Sequence, residues 1–224
     1  MKKQLSILFL GKENDLYVEK ALKFCELNFK VHSYLSEWGK CLPKDIGWWE
    51  GDYIVSYLSR WVLPAYLLKR AKVASINFHP APTEYPGVGC NNFALYESAK
   101  EYGVTCHHML PLVDTGKIIA VKRFPLLETD TVATLLSRTY DYQLVLFYEI
   151  MNIILERKKL PVSKESWSRK PFTRKKLNQL GQISPHMDKD EIVKRIRATT
   201  FGTWNPTVNL EGFIFELKKD MPPS

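Results

Sequence analysis

The sequence contains few cysteines, and they are far apart. Four are present, with no CxxC spacing between any two: Cys25, Cys41, Cys90 and Cys106. Such a pattern provides neither a zinc knuckle nor the dense disulfide framework of a small secreted domain. The run Cys106-His107-His108 is a weak candidate for a metal site, because neighbouring residues of a strand point to opposite faces. We therefore expect no bound metal and a reducing, cytoplasmic location.

Long hydrophobic runs and glycine-rich phosphate loops are also missing. No apolar stretch approaches the roughly 18 residues of a membrane span. Lys2 and Lys3 precede the apolar run 5–10, as in a secretory signal, but the run is short and no small-residue cleavage site follows it. A buried first strand is the better interpretation. The turn after this strand lacks GxGxxG, so the sequence predicts neither a nicotinamide nor a flavin cofactor.

The overall composition is that of an ordinary globular protein. Hydrophobic residues make up 45% and charged residues 25% of the 224 residues, which argues against a disordered or fibrous chain. The net charge of +8 is uneven, because residues 156–200 contain thirteen Lys and Arg but only five Asp and Glu. This segment is either attractive to a phosphate-bearing partner or a set of solvated helix faces.

Hydrophobic periodicity predicts alternating strands and helices. We expect strands at 5–10, 30–35, 52–58, 73–76, 104–110 and 117–123. Helices are predicted at 18–29, 63–71, 91–102, 131–155 and 187–196, and a pair of short strands at 208–217. This order is typical of an α/β fold with a doubly wound, mostly parallel sheet. A shift to basic and polar composition divides the chain into a catalytic domain, 1–160, and a basic C-terminal α+β extension, 161–224, with a helix and a β-hairpin.

Three side chains suited to acyl transfer follow predicted strands. Asn77 and His79 lie two residues apart at the end of a strand, so they project to the same side. Asp114 occupies the turn between two later strands. An amide N–H can stabilise an oxyanion, an imidazole can donate to it or move a proton, and a carboxylate can orient the imidazole or accept a proton. Taken singly, His79 also fits a core or capping histidine, and Asp114 a turn residue.

Three linked motifs resemble those of the N10-formyltetrahydrofolate-dependent formyltransferases. They are Asn-x-His-Pro at 77–80 followed by a Pro- and Gly-rich loop, the run 102–109, and Val-Asp-Thr-Gly at 113–116. The resemblance covers roughly residues 50 to 155, and the order of the motifs makes it specific. The loop 79–87 and residues 90–97 are most similar to the members that formylate nucleotide-linked amino sugars. Members that act on methionyl-tRNA or glycinamide ribonucleotide usually read His-x-Ser-Leu-Leu-Pro in this loop.

This resemblance implies a formyltransferase-type Rossmann-like fold and N10-formyltetrahydrofolate as the co-substrate. A primary amine would attack the formyl carbon, with Asn77 and His79 stabilising the oxyanion and Asp114 holding His79 and helping to remove the amine proton. Whether His79 or Asp114 is the base stays open. By resemblance, the pterin lies against a wall of four residues, with Asp114 also in contact: Arg60, Trp61, Val62 and Leu63. Trp61 as a plain core residue is an alternative.

The acceptor substrate has six candidate contacts. They are Tyr85, Asn91, Asn92, Lys194, Arg197 and Trp204. The first three suit contacts to a sugar, although Asn at a helix start is also a simple cap. The two basic residues are candidates for binding a diphosphate, and the tryptophan either stacks on a nucleotide base or holds the C-terminal hairpin. We also expect a homodimer.

Other functions remain open at this point. The basic segment also suits a methionyl-tRNA or glycinamide ribonucleotide formyltransferase, or a nucleic-acid-binding relative. Roughly 70 residues follow the long helix, whereas the tRNA-directed members carry a sizeable further domain. A nucleotide-linked amino sugar is therefore the preferred acceptor, and no membrane partner is expected.

Overall fold

An α/β fold built around a six-stranded sheet is seen in a computed structural model, which describes residues 4–218. Residues 1–3, with the two lysines of the signal-like pattern, and the last six residues of the predicted extension lie outside the described part. The strands of the sheet are β1 (Ser6–Lys12), β2 (Lys30–Ser36), β3 (Gly51–Tyr57), β4 (Ala71–His79), β5 (Glu101–His108) and β6 (Ile118–Pro125).

The strand order is β2-β1-β3-β4-β5-β6. The first four strands are parallel to one another, whereas β5 runs antiparallel to both β4 and β6. The predicted doubly wound, mostly parallel sheet is therefore confirmed. The change of direction between β4 and β5 brings the ends of two strands with functional side chains side by side.

Helices cover both faces of this sheet. They are α1 (Leu16–Asn28), α2 (Ala65–Leu68), α3 (Cys90–Tyr96), α4 (Val132–Leu155), α5 (Arg174–Leu180) and α6 (Lys189–Thr199), with a 3-10 turn at Lys44–Trp48. Three short strands form a second sheet in the order β7 (Gln182–Ile183), β8 (Thr207–Leu210) and β9 (Phe213–Glu216). Within residues 4–218, none of the helices has both the length and the apolar character needed to cross a membrane.

Alternation along β1 explains how the sheet is buried on both sides. Ile7 and Phe9 pack with α1 and α4, and Leu8 and Leu10 pack with α2 and the 3-10 turn. β1 is buried at five consecutive positions as a result, which is the pattern of a central parallel strand. The sheet is thereby fixed from both sides, and its strand ends form a rigid base for side chains.

The long helix α4 begins where its sequence predicts a cap. The Thr131 hydroxyl accepts from the N–H of Thr134, and the Thr134 hydroxyl accepts from the N–H of Thr131. This reciprocal pair satisfies two N–H groups that the first turn of a helix leaves free. Further along α4, Phe147 packs against Phe78 of β4 with ring centroids 5.1 Å apart. The helix therefore packs against β4, the strand that carries Asn77 and His79.

Two predicted helices are too long. The helix predicted at 91–102 ends at Tyr96, because Ser98 adopts a φ of 52° and Tyr102 is fully buried in β5. The helix predicted at 63–71 is the single turn Ala65–Leu68, since β4 already begins at Ala71. In both cases strand pairing extends into a segment whose local pattern resembles a helix, and tertiary contacts override a weak local preference.

The part of the chain after residue 160 shares a hydrophobic core with the part before it. Leu177 and Leu180 of α5 lie in one cluster with Phe93 of α3 and Leu135 of α4. The sequence analysis missed α5, because only these two of its seven residues are apolar and the rest of the helix is polar or basic. The predicted hairpin is present as β8 and β9. The domain boundary near residue 160 stays a prediction, and it would divide this shared core.

We expect Leu177→Ala to destabilise the whole protein. Leu177 is 4% exposed, and removing a buried leucine side chain typically costs about 2–5 kcal/mol of unfolding free energy. Urea denaturation followed by circular dichroism measures this cost. Leu210→Ala is the matched control, because Leu210 is 44% exposed and surface changes usually stay within about 0.5 kcal/mol. An unchanged midpoint for Leu177→Ala would place α5 outside the core.

Candidate active site

The three predicted catalytic side chains meet in one cavity of about 360 Å³. Asn77 and His79 come from the end of β4, and Asp114 comes from the connection between β5 and β6. All three line the cavity. A site beyond the carboxyl ends of parallel strands is the usual position in open α/β sheets.

Asp114 lies at the centre of the site, between two imidazoles. Its Oδ2 is 3.3 Å from Nδ1 of His79 and accepts a 2.8 Å hydrogen bond from the N–H of Gly87, while its Oδ1 is 3.3 Å from Nε2 of His107. Burial alone would raise the pKa of Asp114. Attraction to both histidines and the hydrogen bonds to His107 and Gly87 outweigh this effect and lower the pKa to about 2. Asp114 is therefore a carboxylate at neutral pH.

The loop that donates to Asp114 requires glycine at position 87. Gly87 has a φ of +93°, which is unfavourable for residues with a side chain. A Cβ there would also lie 2.3 Å from the carbonyl oxygen of Phe172. The close approach of Phe172 therefore depends on this glycine, which also supplies the N–H bound by Asp114.

His79 faces a hydrogen-bond acceptor on each side of its ring. Nδ1 lies against the Asp114 carboxylate, and Nε2 is 3.0 Å from the carbonyl oxygen of Tyr85. Carboxylates and carbonyls only accept hydrogen bonds, so a neutral ring donates to one of these two groups and a protonated ring donates to both. The ring is 4% exposed, and the two contacts fix its orientation.

His107 is a site residue that the sequence analysis did not assign to catalysis. Its Nδ1 donates to the carbonyl oxygen of His108 at 2.8 Å. Its Nε2 lies between Nδ2 of Asn77 at 3.1 Å and the Asp114 carboxylate. A neutral ring accepts from Asn77 at this nitrogen, whereas a protonated ring donates to Asp114. His107 therefore links the amide to the carboxylate. The missed signal was strand register, since Asn77 pairs directly with His107 across β4 and β5.

Trp167 is a second contact that the sequence analysis missed. Its ring packs edge-to-face with His107 and His79, with centroids 5.1 and 5.7 Å apart. Its Nε1–H donates to the carbonyl oxygen of Gly116 at 2.8 Å. Trp167 lies more than 50 residues beyond Asp114 in a segment without regular structure, and no local motif marks it.

The four residues predicted to hold the co-substrate line the same cavity as the catalytic set. They are Arg60, Trp61, Val62 and Leu63. The loop after β5 also lines the cavity, through Leu110, Leu112 and Val113. A slot with apolar walls and polar groups at one end suits a flat heteroaromatic ring system. Trp61 is partly exposed, and its Nε1–H donates to the carbonyl oxygen of Lys40 at 3.0 Å. These two features differ from those of a fully buried core residue, which was the alternative interpretation.

The predicted sugar contacts are buried and are not among the residues that line this cavity. The Tyr85 hydroxyl donates to Glu97 at 3.0 Å. Asn91 donates to Thr139 at 3.3 Å, and Asn92 donates to the carbonyl oxygen of Ala198 at 2.6 Å. Neither asparagine caps α3, since its N-cap position is Gly89. Contact of these residues with a sugar stays a prediction.

The predicted contacts to the nucleotide lie in and after α6, and they do not line the cavity. They are Lys194 and Arg197 for the diphosphate and Trp204 for the base. Arg197 donates to the carbonyl oxygens of Asp130 and Leu127 at 3.0 and 2.9 Å. Trp204 packs beside Gly181 and against the hydrophobic cluster that contains Leu177 and Leu180, which suits its alternative role of supporting the C-terminal sheet. Lys194 is exposed. A phosphate-binding role for these residues stays a prediction.

Comparison with known proteins identifies the segment that carries this cavity. Residues 43–150 match the family described as formyl transferase. This segment belongs to the formyl transferase family. The match includes Asn77, His79, Asp114 and the wall at 60–63, whereas Trp167 lies beyond it. The family predicted from the linked motifs is therefore confirmed.

Curated relatives of the formyl transferase segment act on different acceptors. A methionyl-tRNA formyltransferase from Lactobacillus johnsonii is 34% identical over 90 residues, which are 40% of this chain and 29% of that protein. A GDP-perosamine N-formyltransferase from Brucella melitensis is 27% identical over 166 residues, which are 73% of this chain and 63% of that protein. The matched parts thus span less than two thirds of either relative.

Solved structures share the fold over nearly the whole chain. A 4-N formyltransferase from Francisella tularensis matches with a TM-score of 0.78 at 15% identity, covering 98% of this chain and 99% of that chain. An N-formyltransferase from Helicobacter canadensis, in complex with folinic acid and dTDP-3-aminofucose, matches with a TM-score of 0.70 at 20% identity, covering 93% and 85%. The fold of the formyl transferase segment and of the chain after it is therefore shared with these enzymes.

We expect Asp114→Asn to lose stability at neutral pH but not in acid. The folded pKa of about 2 lies below the unfolded value of about 3.9, so the carboxylate stabilises the fold above pH 4 and loses this effect as pH falls toward 2. The difference corresponds to about 2–3 kcal/mol. Unfolding free energies of the parent and the variant, measured from pH 6 to pH 2, should therefore converge as the pH approaches the folded pKa of Asp114. Asp190→Asn, at an exposed position of α6, is the control, and a constant gap for Asp114→Asn would contradict the depressed pKa.

Proposed function

We propose that this protein is an N-formyltransferase that moves a formyl group from N10-formyltetrahydrofolate to the primary amine of a nucleotide-linked amino sugar. One observation carries the proposal: Asn77, His79 and Asp114 share a cavity with the wall at 60–63. A formyl donor on that wall has its reactive carbon next to an amide donor and an imidazole. The Brucella relative and the Helicobacter complex support an amino sugar as acceptor.

The reaction forms one C–N bond and breaks another. The amine nitrogen attacks the formyl carbon, and the carbonyl oxygen becomes an oxyanion. The intermediate then collapses with loss of the N10 nitrogen, so the amine loses one proton and the folate nitrogen gains one. The protein's task is to stabilise the oxyanion and to move that proton.

Asn77 is the best-placed oxyanion donor. Its Nδ2 carries two hydrogens, and the contact with His107 at 3.1 Å uses one. The second can be directed at a ligand in the cavity, where Asn77 is partly exposed. We infer that His107 orients the amide so that this second N–H meets the oxyanion.

Asp114 holds the imidazoles in this scheme and is not itself the base. A carboxylate with a pKa near 2 is a weak proton acceptor at neutral pH. It does stabilise a protonated imidazole on either side, at 3.3 Å from each ring. We infer that an imidazole takes the amine proton and that Asp114 makes this favourable.

We expect Asn77→Ala, which removes the oxyanion donor, and His79→Ala, which removes an imidazole suited to proton transfer, each to lower turnover by about 100- to 1,000-fold. Formyl transfer to a panel of nucleotide-linked amino sugars, followed by mass spectrometry, measures this loss. His32→Ala is the matched control, because His32 is exposed on β2. A folded His79→Ala variant with near-parent turnover would contradict the assignment.

Nucleic-acid recognition is the second candidate, motivated by the basic segment 156–200. Several of its basic side chains are already engaged within the protein: Arg195 binds Glu191 and three backbone carbonyls, Arg197 binds two, and Arg169 binds Glu97. These contacts reduce the charge available to a phosphate backbone. Absorbance at 260 and 280 nm after purification separates the candidates, since bound nucleic acid favours the second.

We also propose a homodimer, formed through the free edge of the C-terminal sheet. β9 is the edge strand, and Phe213, Ile214 and Phe215 are 70%, 72% and 57% exposed. An exposed apolar edge strand is a template for pairing with another chain. Two copies joined at β9 would form one continuous six-stranded sheet and cover these side chains.

Ile214→Lys should therefore yield a monomer, because a buried lysine opposes edge-to-edge pairing. Light scattering after size exclusion measures the mass. Val162→Lys, at an exposed apolar position outside the hairpin, is the control and should leave the dimer intact. A dimer that persists in Ile214→Lys would show that another surface joins the copies.

A further inference from the structure

A segment without regular structure crosses the active site after α4. This strap, residues 163–172, is anchored through its backbone to three different parts of the protein. The N–H of Ser163 donates to Ile118 of β6, the N–H of Ser168 donates to Thr83, and the N–H of Phe172 donates to Pro86. The last two partners belong to the loop that follows His79. The strap therefore lies across the catalytic loop and is fixed at both ends.

Side-chain ion pairs and a hydrogen bond on each side of Trp167 also hold the strap in place. Glu165 pairs with Arg123 of β6 at 2.5 Å and accepts from the hydroxyl of Thr83. Arg169 pairs with Glu97 at 2.7 Å. Single ion pairs at partly exposed positions contribute little to stability. Their placement on both sides of Trp167 instead restricts where its ring can lie.

Trp167 contacts the catalytic machinery at three points. Its indole N–H holds the carbonyl oxygen of Gly116, and its ring packs against the imidazoles of His79 and His107. These two imidazoles are the ones that flank the Asp114 carboxylate. Trp167 therefore contacts both imidazoles that flank Asp114 and the turn that carries this residue.

The turn at 114–116 needs such support. Asp114 has a φ of 47°, in the left-handed region that few residues with a side chain adopt, although Asp tolerates it better than most. Two residues later, Gly116 is pressed so closely against β5 that a Cβ there would lie 1.7 Å from the carbonyl oxygen of His108. Strained backbone persists where its surroundings determine it from several sides. β5 holds this turn from one side, and Trp167 holds it through the Gly116 carbonyl.

We propose that Trp167 is a positioning residue for formyl transfer. It keeps Asp114 between the two imidazoles by fixing the turn and both rings at once. The proposal rests on the proposed function for its catalytic consequence. Displacement of a catalytic group by about 1 Å can cost 100-fold in rate. The effect falls on turnover more than on binding of the formyl donor, because Trp167 contacts the two imidazoles and the turn and is not among the residues that line the cavity.

Two substitutions separate the hydrogen bond from the ring contacts. Trp167→Phe keeps an aromatic ring but loses the N–H that holds Gly116, and we expect turnover to fall about 3- to 10-fold. Trp167→Leu loses both, and we expect a fall of about 100-fold. The Michaelis constant for the formyl donor should change less than about 3-fold in both. Trp48→Phe is the matched control, because Trp48 is 85% exposed and does not line the cavity.

A second readout does not depend on turnover. The chain has five histidines, so their imidazole signals can be followed by NMR as pH is varied. We expect the titration curves of His79 and His107 to change in both variants, while those of the exposed His32 and His186 stay as in the parent. A merely structural role for Trp167 would lower the melting temperature without this selective change.

The result that overturns the proposal is a folded Trp167→Phe variant with parent turnover and parent titration curves for His79 and His107. The same result in Trp167→Leu, where that variant folds, also overturns it. If the parent itself transfers no formyl group, the proposed function fails, but the titration curves still decide whether Trp167 positions the two rings.

Discussion

The structure depends on one buried negative charge. Asp114 is 6% exposed, and an isolated carboxylate at such a position would be strongly destabilising. Two imidazoles and one backbone N–H compensate it, and each comes from a different part of the chain: β4, β5 and the loop at Gly87. Removing any of these groups leaves the charge undercompensated. Folding and the geometry of the site are therefore stabilised by the same contacts.

Much of this arrangement was predictable from local sequence. Asn77 and His79 were placed together because residues two apart on a strand share a side. The order of strands and helices predicted the sheet, and linked motifs connected Asp114 and the wall at 60–63 to the same chemistry. These features depend on short stretches of sequence or on their order along the chain.

The features that were missed depend on contacts between distant segments. His107 enters the site because β5 runs antiparallel to β4 and pairs with it at Asn77, and register between strands is not encoded in either strand alone. Trp167 is brought in by a strap whose anchors are 40 to 90 residues away in sequence. The overlong helix at 91–102 has the same cause, since burial of Tyr102 in β5 overrides a local helical pattern.

The position of the strap also has a consequence for biosynthesis. Chains emerge from the ribosome with the amino-terminal part first, and early segments begin to fold while later ones are still being made. The six strands of the main sheet end at Pro125, 38 residues before the strap begins at Ser163. A nascent chain can therefore assemble the sheet while the groups at its edge are still loosely held. The contacts of Trp167 with the two imidazoles and with the Gly116 carbonyl can form only after translation has passed the strap, so these groups gain their final support later than the strands beside them.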